Sequence, residues 1–281
     1  MKQTLALIRM ELARLFLSRR WFAAVAMWGL VGKLAADEVR SHAFNAGIEG
    51  WSVFDAHAAL VNNMFFVGFL LLTTFVMIAC DSLARDRETR LAHVVMARAG
   101  SRWRWWVGKA VPMVLAAVVF QVGVLGASLA LAAYEGGEMT RKPSAFARGE
   151  TGKQDVMAQL FFTPAHPGTD MLVREVGTSL YLSLGFTAIG MAVLALSARF
   201  PVSWLPGLAS VGVVLLDRIL GWFIHGSWYT WVSPSARLLE AMHSAAVVDD
   251  PLPLWSSLLW WVTLLVLSAI VGVRTLQRVD I

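Results

Sequence analysis

The chain has 281 residues, of which 57% are hydrophobic and only 15% charged; ordinary soluble domains carry roughly 25% charged residues. That deficit excludes a typical soluble enzyme or a disordered chain, and the length suits one membrane domain with short loops. The net charge of +5 is no argument for nucleic acid, because membrane chains collect basic residues in the loops that stay in the cytoplasm.

Residues 1–20 are expected to form an interfacial helix. Leu5, Ile8, Leu12, Leu15 and Phe16 recur at helical spacing on one face, flanked by Lys2 and Arg9. Such a helix lies in the membrane plane and leads into the first span. Residues 21–281 then read as a single all-α transmembrane domain. About 20 residues of helix cross the hydrocarbon core, and segments 58–79, 110–133, 176–198 and 254–273 reach that length with no internal charge. Two shorter apolar runs, 21–36 and 202–216, complete a predicted set of six spans. The basic residues ahead of 21–36 resemble the start of a signal peptide. The basic stretch is too long for one, however, and no A-x-A cleavage pattern follows, so this run reads as an uncleaved span.

Charge sets the expected orientation. Most of the 24 Lys and Arg residues fall in the N-terminal segment, in the 81–109 loop, at Arg199, and at Arg274 and Arg278. Most of the 19 acidic residues fall in the opposite loops. The positive-inside rule therefore predicts cytoplasmic termini. The fifth span is interrupted by Asp217 and Arg218, which as helix neighbours do not face one another. A mid-bilayer charge costs about 2.5–3.5 kcal/mol. Either the span stops near Leu216 and a re-entrant or interfacial helix containing Trp222, Trp228, Tyr229 and Trp231 follows, or the pair faces a protein interior or a wet cavity. The first reading is preferred.

Few residues suggest chemistry. The lone Cys80 excludes an internal disulfide, and no H-E-x-x-H or G-x-x-x-x-G-K-[ST] motif is present, so neither a zinc protease site nor a phosphate loop is expected. No metal site or catalytic residue is assigned. His42, His57, His166, His225 and His243 fall on the predicted outer side, as surface or interfacial residues. Most of the 13 tryptophans, among them Trp21, Trp103, Trp105, Trp106, Trp204, Trp255, Trp260 and Trp261, are expected to anchor at membrane interfaces. Gly123, Gly126, Ala127 and Ala130 suit close helix packing. The outer loop 134–171, rich in Gly and Pro, reads as an irregular cap. Asn62, Asn63, Phe65, Phe66 and Phe69 are the candidate substrate path, because polar groups within a span tend to face a cavity; helix packing is the equal alternative for the two asparagines.

The 81–109 loop is the most ordered stretch outside the spans. It opens with a mixed-charge segment, Arg85-Asp86-Arg87-Glu88, passes His93, and closes with Ser101-Arg102 and Gly108-Lys109. A short helix carrying both charge signs at the membrane face can dock on another protein and pass movement to two spans. The loop resembles the permease subunits of type-2 ABC exporters, whose matching region reads close to E-R-E-x-G-T-L-x-x-L-L-x-x-P-x-S-R-x-x-x-x-x-G-K. The spacing of Asp86-Arg87-Glu88, Ser101-Arg102 and Gly108-Lys109 agrees, and the resemblance covers about residues 60–110. Arg90 and Leu91 stand where that family prefers Gly-Thr, and Ala99 where it prefers Pro.

This resemblance implies a multi-pass subunit of a bacterial cell membrane, working as a dimer with a second, identical or paralogous permease. It also implies separate ATPase subunits that hold the ATP and Mg; no cofactor is expected on this chain. Arg85, Asp86, Arg87, Glu88, His93 and Arg102 would form the ATPase-coupling contact. The alternatives are a non-transporting scaffold or sensor that docks a cytoplasmic partner, and, behind it, a membrane-embedded enzyme.

Overall fold

The computed structural model describes residues 2–47, 50–79, 82–89, 92, 95, 99–145, 147–148, 165–200, 202–223, 227–244 and 250–278. Regular structure among them is helical, with one isolated parallel bridge between Ser52 and Glu138. Cys80, His93 and His225 lie outside the described residues.

Helix α1 (Lys2–Phe16) turns at Ser18 into α2 (Arg20–Ala46). Gly47 ends α2 in the left-handed region at φ 64°, with its N–H on the carbonyls of Ala43 and Phe44. A residue with a Cβ is disfavoured there. Helix α3 (Val53–Asn62) begins with a capping box in which the Ser52 N–H donates to the Asp55 carboxylate at 2.7 Å and Ser52 Oγ accepts from Phe54.

The chain then breaks at Asn63, whose backbone is extended (φ −84°, ψ 112°). The expected second span, 58–79, is therefore not one helix. Asn63 Oδ1 accepts the N–H groups of Phe65 and Phe66 at 2.9 and 3.2 Å and restarts the helix. A π-helical turn follows at Phe66–Leu71, then α4 (Leu72–Ala79) and α5 (Ser82–Glu88). A long helix, α6 (Arg102–Tyr134), is capped by Ser101, and α7 (Met171–Ser197) by Asp170.

Helix α8 (Leu205–Phe223) runs straight through Asp217 and Arg218, correcting the expectation that this span stops near Leu216. The position of Trp222 is part of α8, not of a separate helix. Two short helices, α9 (Ser227–Val232) and α10 (Pro234–Leu238), and a 3-10 turn at Glu240–His243 precede α11 (Leu254–Arg278).

Four segments are long and apolar enough to cross a membrane: Phe66–Asp86, Arg102–Tyr134, Met171–Ser197 and Leu254–Gln277. Val114, Leu115, Val119 and Val122 on α6 and Leu259, Val266 and Leu267 on α11 face outward, exposed. A continuous apolar exterior of this kind suits lipid as the surrounding solvent and would drive association in water.

The centre is aromatic. Phe75 of α4, Phe120 of α6 and Phe186 of α7 meet with ring centroids 5.3–5.8 Å apart. Trp28 of α2 adds an edge contact to Phe120 at 5.7 Å. Gly123 makes room for that indole: a Cβ there would fall 2.4 Å from the Trp28 ring. Trp105, Trp106 and Trp261 are also fully buried, so these three do not anchor at an interface as expected. The apolar mass of each ring outweighs its single N–H donor when helices can pack around it.

Both chain ends lie at one end of the bundle. There Arg104 reaches Gln3 at 3.5 Å, Arg102 donates to the Gln277 carbonyl, and the Ser203 N–H donates to Glu88 at 3.2 Å. The opposite end gathers the starts of α3 and α7 with part of the 134–171 loop. Backbone bonds join Val53 to Glu138 (3.1 Å) and Glu138 to Trp51 (2.8 Å) there.

Candidate functional site

At the end that holds both termini, α1, α5 and the base of α6 share a cluster of four charges. Lys109 Nζ lies 2.8 Å from Glu11 Oε2 and 2.7 Å from Asp86 Oδ2, and donates to the Ser82 carbonyl at 3.0 Å. Arg14 Nη1 completes the ring, 3.1 Å from Glu11 and 3.0 Å from Asp86. The side chains of Lys109, Asp86 and Glu11 are only 2%, 3% and 7% exposed. Two acids face two bases, so the cluster is neutral as a whole, the condition under which buried charges are tolerated. The burial of Glu11 beside Leu7 also shows which face of α1 turns inward. Of the periodic apolar face, Leu15 and Phe16 pack against the same core as Leu7, while Ile8 and Leu12 are half-buried and Leu5 is exposed.

The residues expected to form an outward contact separate into two groups. Asp86 is inside, held by Lys109 and Arg14, and presents nothing to a partner. Arg85 and Glu88 are exposed on the same short helix. Glu88 accepts from the Ser203 backbone just before α8, and Arg102 ties the start of α6 to the end of α11. The Arg87 side chain and His93 fall outside the description. Asp86 therefore fixes α5 to the bundle, and Arg85 before it and Glu88 after it carry the exposed charge.

The candidate substrate-path residues have structural partners. Asn62 donates to the Ala58 carbonyl at 3.1 Å and accepts the Ala241 N–H at 2.8 Å, joining α3 to the 3-10 turn. Asn63 caps the restarted helix. Phe65 is exposed and packs on Phe69 at 5.6 Å between centroids, whereas Phe66 is buried. Asn62 thus makes the contact between elements that the packing alternative describes, and Asn63 makes a local cap.

A second polar cluster, at the opposite end, was not anticipated. His57 of α3 and Glu175 of α7 are fully buried, with His57 Nδ1 and Glu175 Oε2 2.7 Å apart, and Ser179 Oγ lies 3.4 Å from His57 Nε2. The expectation that the outer histidines sit at the surface fails here. Arg174 binds Glu240 through Nη2 at 2.9 Å and lies 3.8 Å from Glu175. Burial pushes the Glu240 carboxyl above its ordinary value, against the pull of Arg174. Burial likewise pushes Asp55 up to about 6, although it accepts from Ser52 and, at 2.8 Å, from Ser144. Glu175 and Ser179, one turn apart on α7, could be paired from spacing alone. His57 could not, since its partner is 118 positions away.

The segment between α8 and α11 is locked by side chains of both charges. Asp217 accepts from the Ser235 N–H at 3.1 Å, from Ser233 Oγ at 3.2 Å and from the Tyr229 hydroxyl at 3.1 Å. Arg237 donates to the Trp231 carbonyl at 3.0 Å and to Ser257 Oγ at 2.9 Å, and lies over the rings of Trp231 and Trp260. Asp217 therefore faces protein, the alternative that the preferred sequence reading set aside. A comparison with protein-family models and with curated proteins finds no match for the chain.

Proposed function

We propose that this chain is the permease subunit of an ATP-driven exporter of the type-2 ABC kind. In this reading α2 and α8 join the four long apolar segments to make six crossings, with both termini in the cytoplasm. Two permeases, identical or paralogous, enclose the pathway, and separate ATPase subunits bind ATP and Mg at the cytoplasmic face.

The observation that carries the reading is the buried cluster of Glu11, Arg14, Asp86 and Lys109. It fastens the charged helix α5 to α1 and α6, so a push on Arg85 and Glu88 is transmitted to helices instead of being absorbed by a loose loop. Coupling of two sites needs such an element, one whose two positions a ligand elsewhere can bias. The match of 86–109 to the exporter pattern supplies the identity of the force: an ATPase that closes on nucleotide.

The test is a mild-detergent pull-down of the tagged chain from its native cells, with ATP hydrolysis assayed on what co-purifies. An ATPase should accompany the wild-type chain and be lost from Arg85→Glu/Arg87→Glu, with the thermal unfolding midpoint of that variant measured beside it so that a loss of binding is told apart from a loss of fold. A chain that purifies without an ATPase, or a complex indifferent to the reversal, refutes the proposal.

A further inference from the structure

A cavity of about 320 Å3 lies among α4, α7, α8, α10 and α11, away from both charge clusters. Leu72, Val76, Val193, Val214 and Leu264 form its wall, which is almost wholly carbon. Asp217 and Ser235 touch its edge, but their polar atoms are turned on one another and on Ser233 and Tyr229. Val213, which also lines it, is 61% exposed on the outer surface of α8. The cavity is thus continuous with the apolar exterior of the bundle.

Water has no partner on such a wall, and apolar cavities of about 150 Å3 already stay dry and take up hydrocarbon. This one is about twice that size and within the roughly 300–1,000 Å3 range of ligand sites. A head group has nothing to bind inside it. We infer that the cavity is a binding site for one acyl chain of a bilayer phospholipid, which enters past Val213 and leaves its head group outside. The occupant is a hydrocarbon chain by the chemistry of the wall, and a bilayer lipid because the mouth opens on the surface that lipid covers. The chain lies between α4 and α8, so it splints the helix that continues toward α5. The inference stands whether or not the protein is a transporter.

The experiment reconstitutes the full chain in nanodiscs containing a phosphatidylcholine with a mid-chain diazirine, followed by irradiation and mapping of adducts by mass spectrometry. Adducts at Val193, Val213 and Leu264 should exceed those at Val122, an exposed position of α6, several-fold. Val193→Trp, which fills the cavity, should bring them down to the Val122 level and leave Val122 unchanged. Even labelling around the bundle, or enrichment that survives Val193→Trp, overturns the inference. If Val193→Trp does not fold, competition on the wild-type chain with decane decides the matter. Selective loss at the cavity supports the site, and uniform dilution overturns it.

Discussion

Single residues in this protein matter most where a polar group lies at low dielectric. His57 and Glu175 have no exposure, so each depends on the other. Removing one partner of a buried hydrogen bond costs about 1–3 kcal/mol, and more if the survivor is charged. We expect His57→Ala to lower the unfolding midpoint in detergent more than Glu175→Gln, which keeps a hydrogen-bonding group at the same place. Equal midpoints for the two variants would show that the contact holds nothing.

Asp55 adds a pH dependence whose sign is fixed by its environment. Its folded-state value of about 6 lies above the ordinary 3.8, so the folded chain binds the proton more readily than the unfolded one. The resulting stabilisation is full below about 3.8 and is lost as pH rises through about 6. Unfolding monitored at about pH 5 should therefore require more denaturant than at about pH 7.5, and Asp55→Asn should remove that part of the difference. Neither residue was legible as a site. A histidine and an aspartate in an outer segment look solvated until the helix that covers them is in place.

Helices meet here through small residues that admit large rings, and two of the three glycines of α6 test that idea directly. A Cβ at Gly123 would meet the Trp28 ring at 2.4 Å, whereas Gly126 has nothing within 4 Å. Gly123→Ala should destabilise the chain by about 1–3 kcal/mol, the usual cost of overpacking. Gly126→Ala should be neutral or mildly stabilising, since Ala is the better helix former by about 1 kcal/mol. Differential scanning fluorimetry of the two variants separates them. Both glycines look alike in the sequence, as small residues one turn apart. Only the position of Trp28 distinguishes the seat from the bystander. The break at Asn63 has the same character: asparagine is compatible with a span interior or with a cap, and here its side chain accepts the N–H groups of Phe65 and Phe66 while the adjacent Asn62 takes that of Ala241.

For the molecule as a whole, the buried four-charge cluster and the outward charges of α5 separate stability from the coupling proposed above. Lys109→Met leaves Arg14 as the one remaining cation between Glu11 and Asp86, and breaking a buried pair costs about 3–5 kcal/mol. That variant should lose most of its folded yield, measured by fluorescence-detected size exclusion. Arg85→Glu, a change at an exposed position of α5, should retain more of the yield than Lys109→Met and weaken the partner interaction proposed above. A Lys109→Met protein as stable as wild type would remove the physical basis for treating α5 as rigidly mounted.

The amino-acid sequence by itself determined the helical class and the long apolar segments 110–133, 176–198 and 254–273, because a run of about 20 uncharged residues has few ways to satisfy its backbone other than a buried helix. It also drew attention to the mixed charges of the 81–109 loop. Tertiary structure alone decided which charges of that loop point inward, that α8 passes through Asp217, and that His57 pairs with Glu175. In each case a cost that is prohibitive for an isolated helix is removed by a partner from a distant helix. Local pattern registers the cost but not the partner.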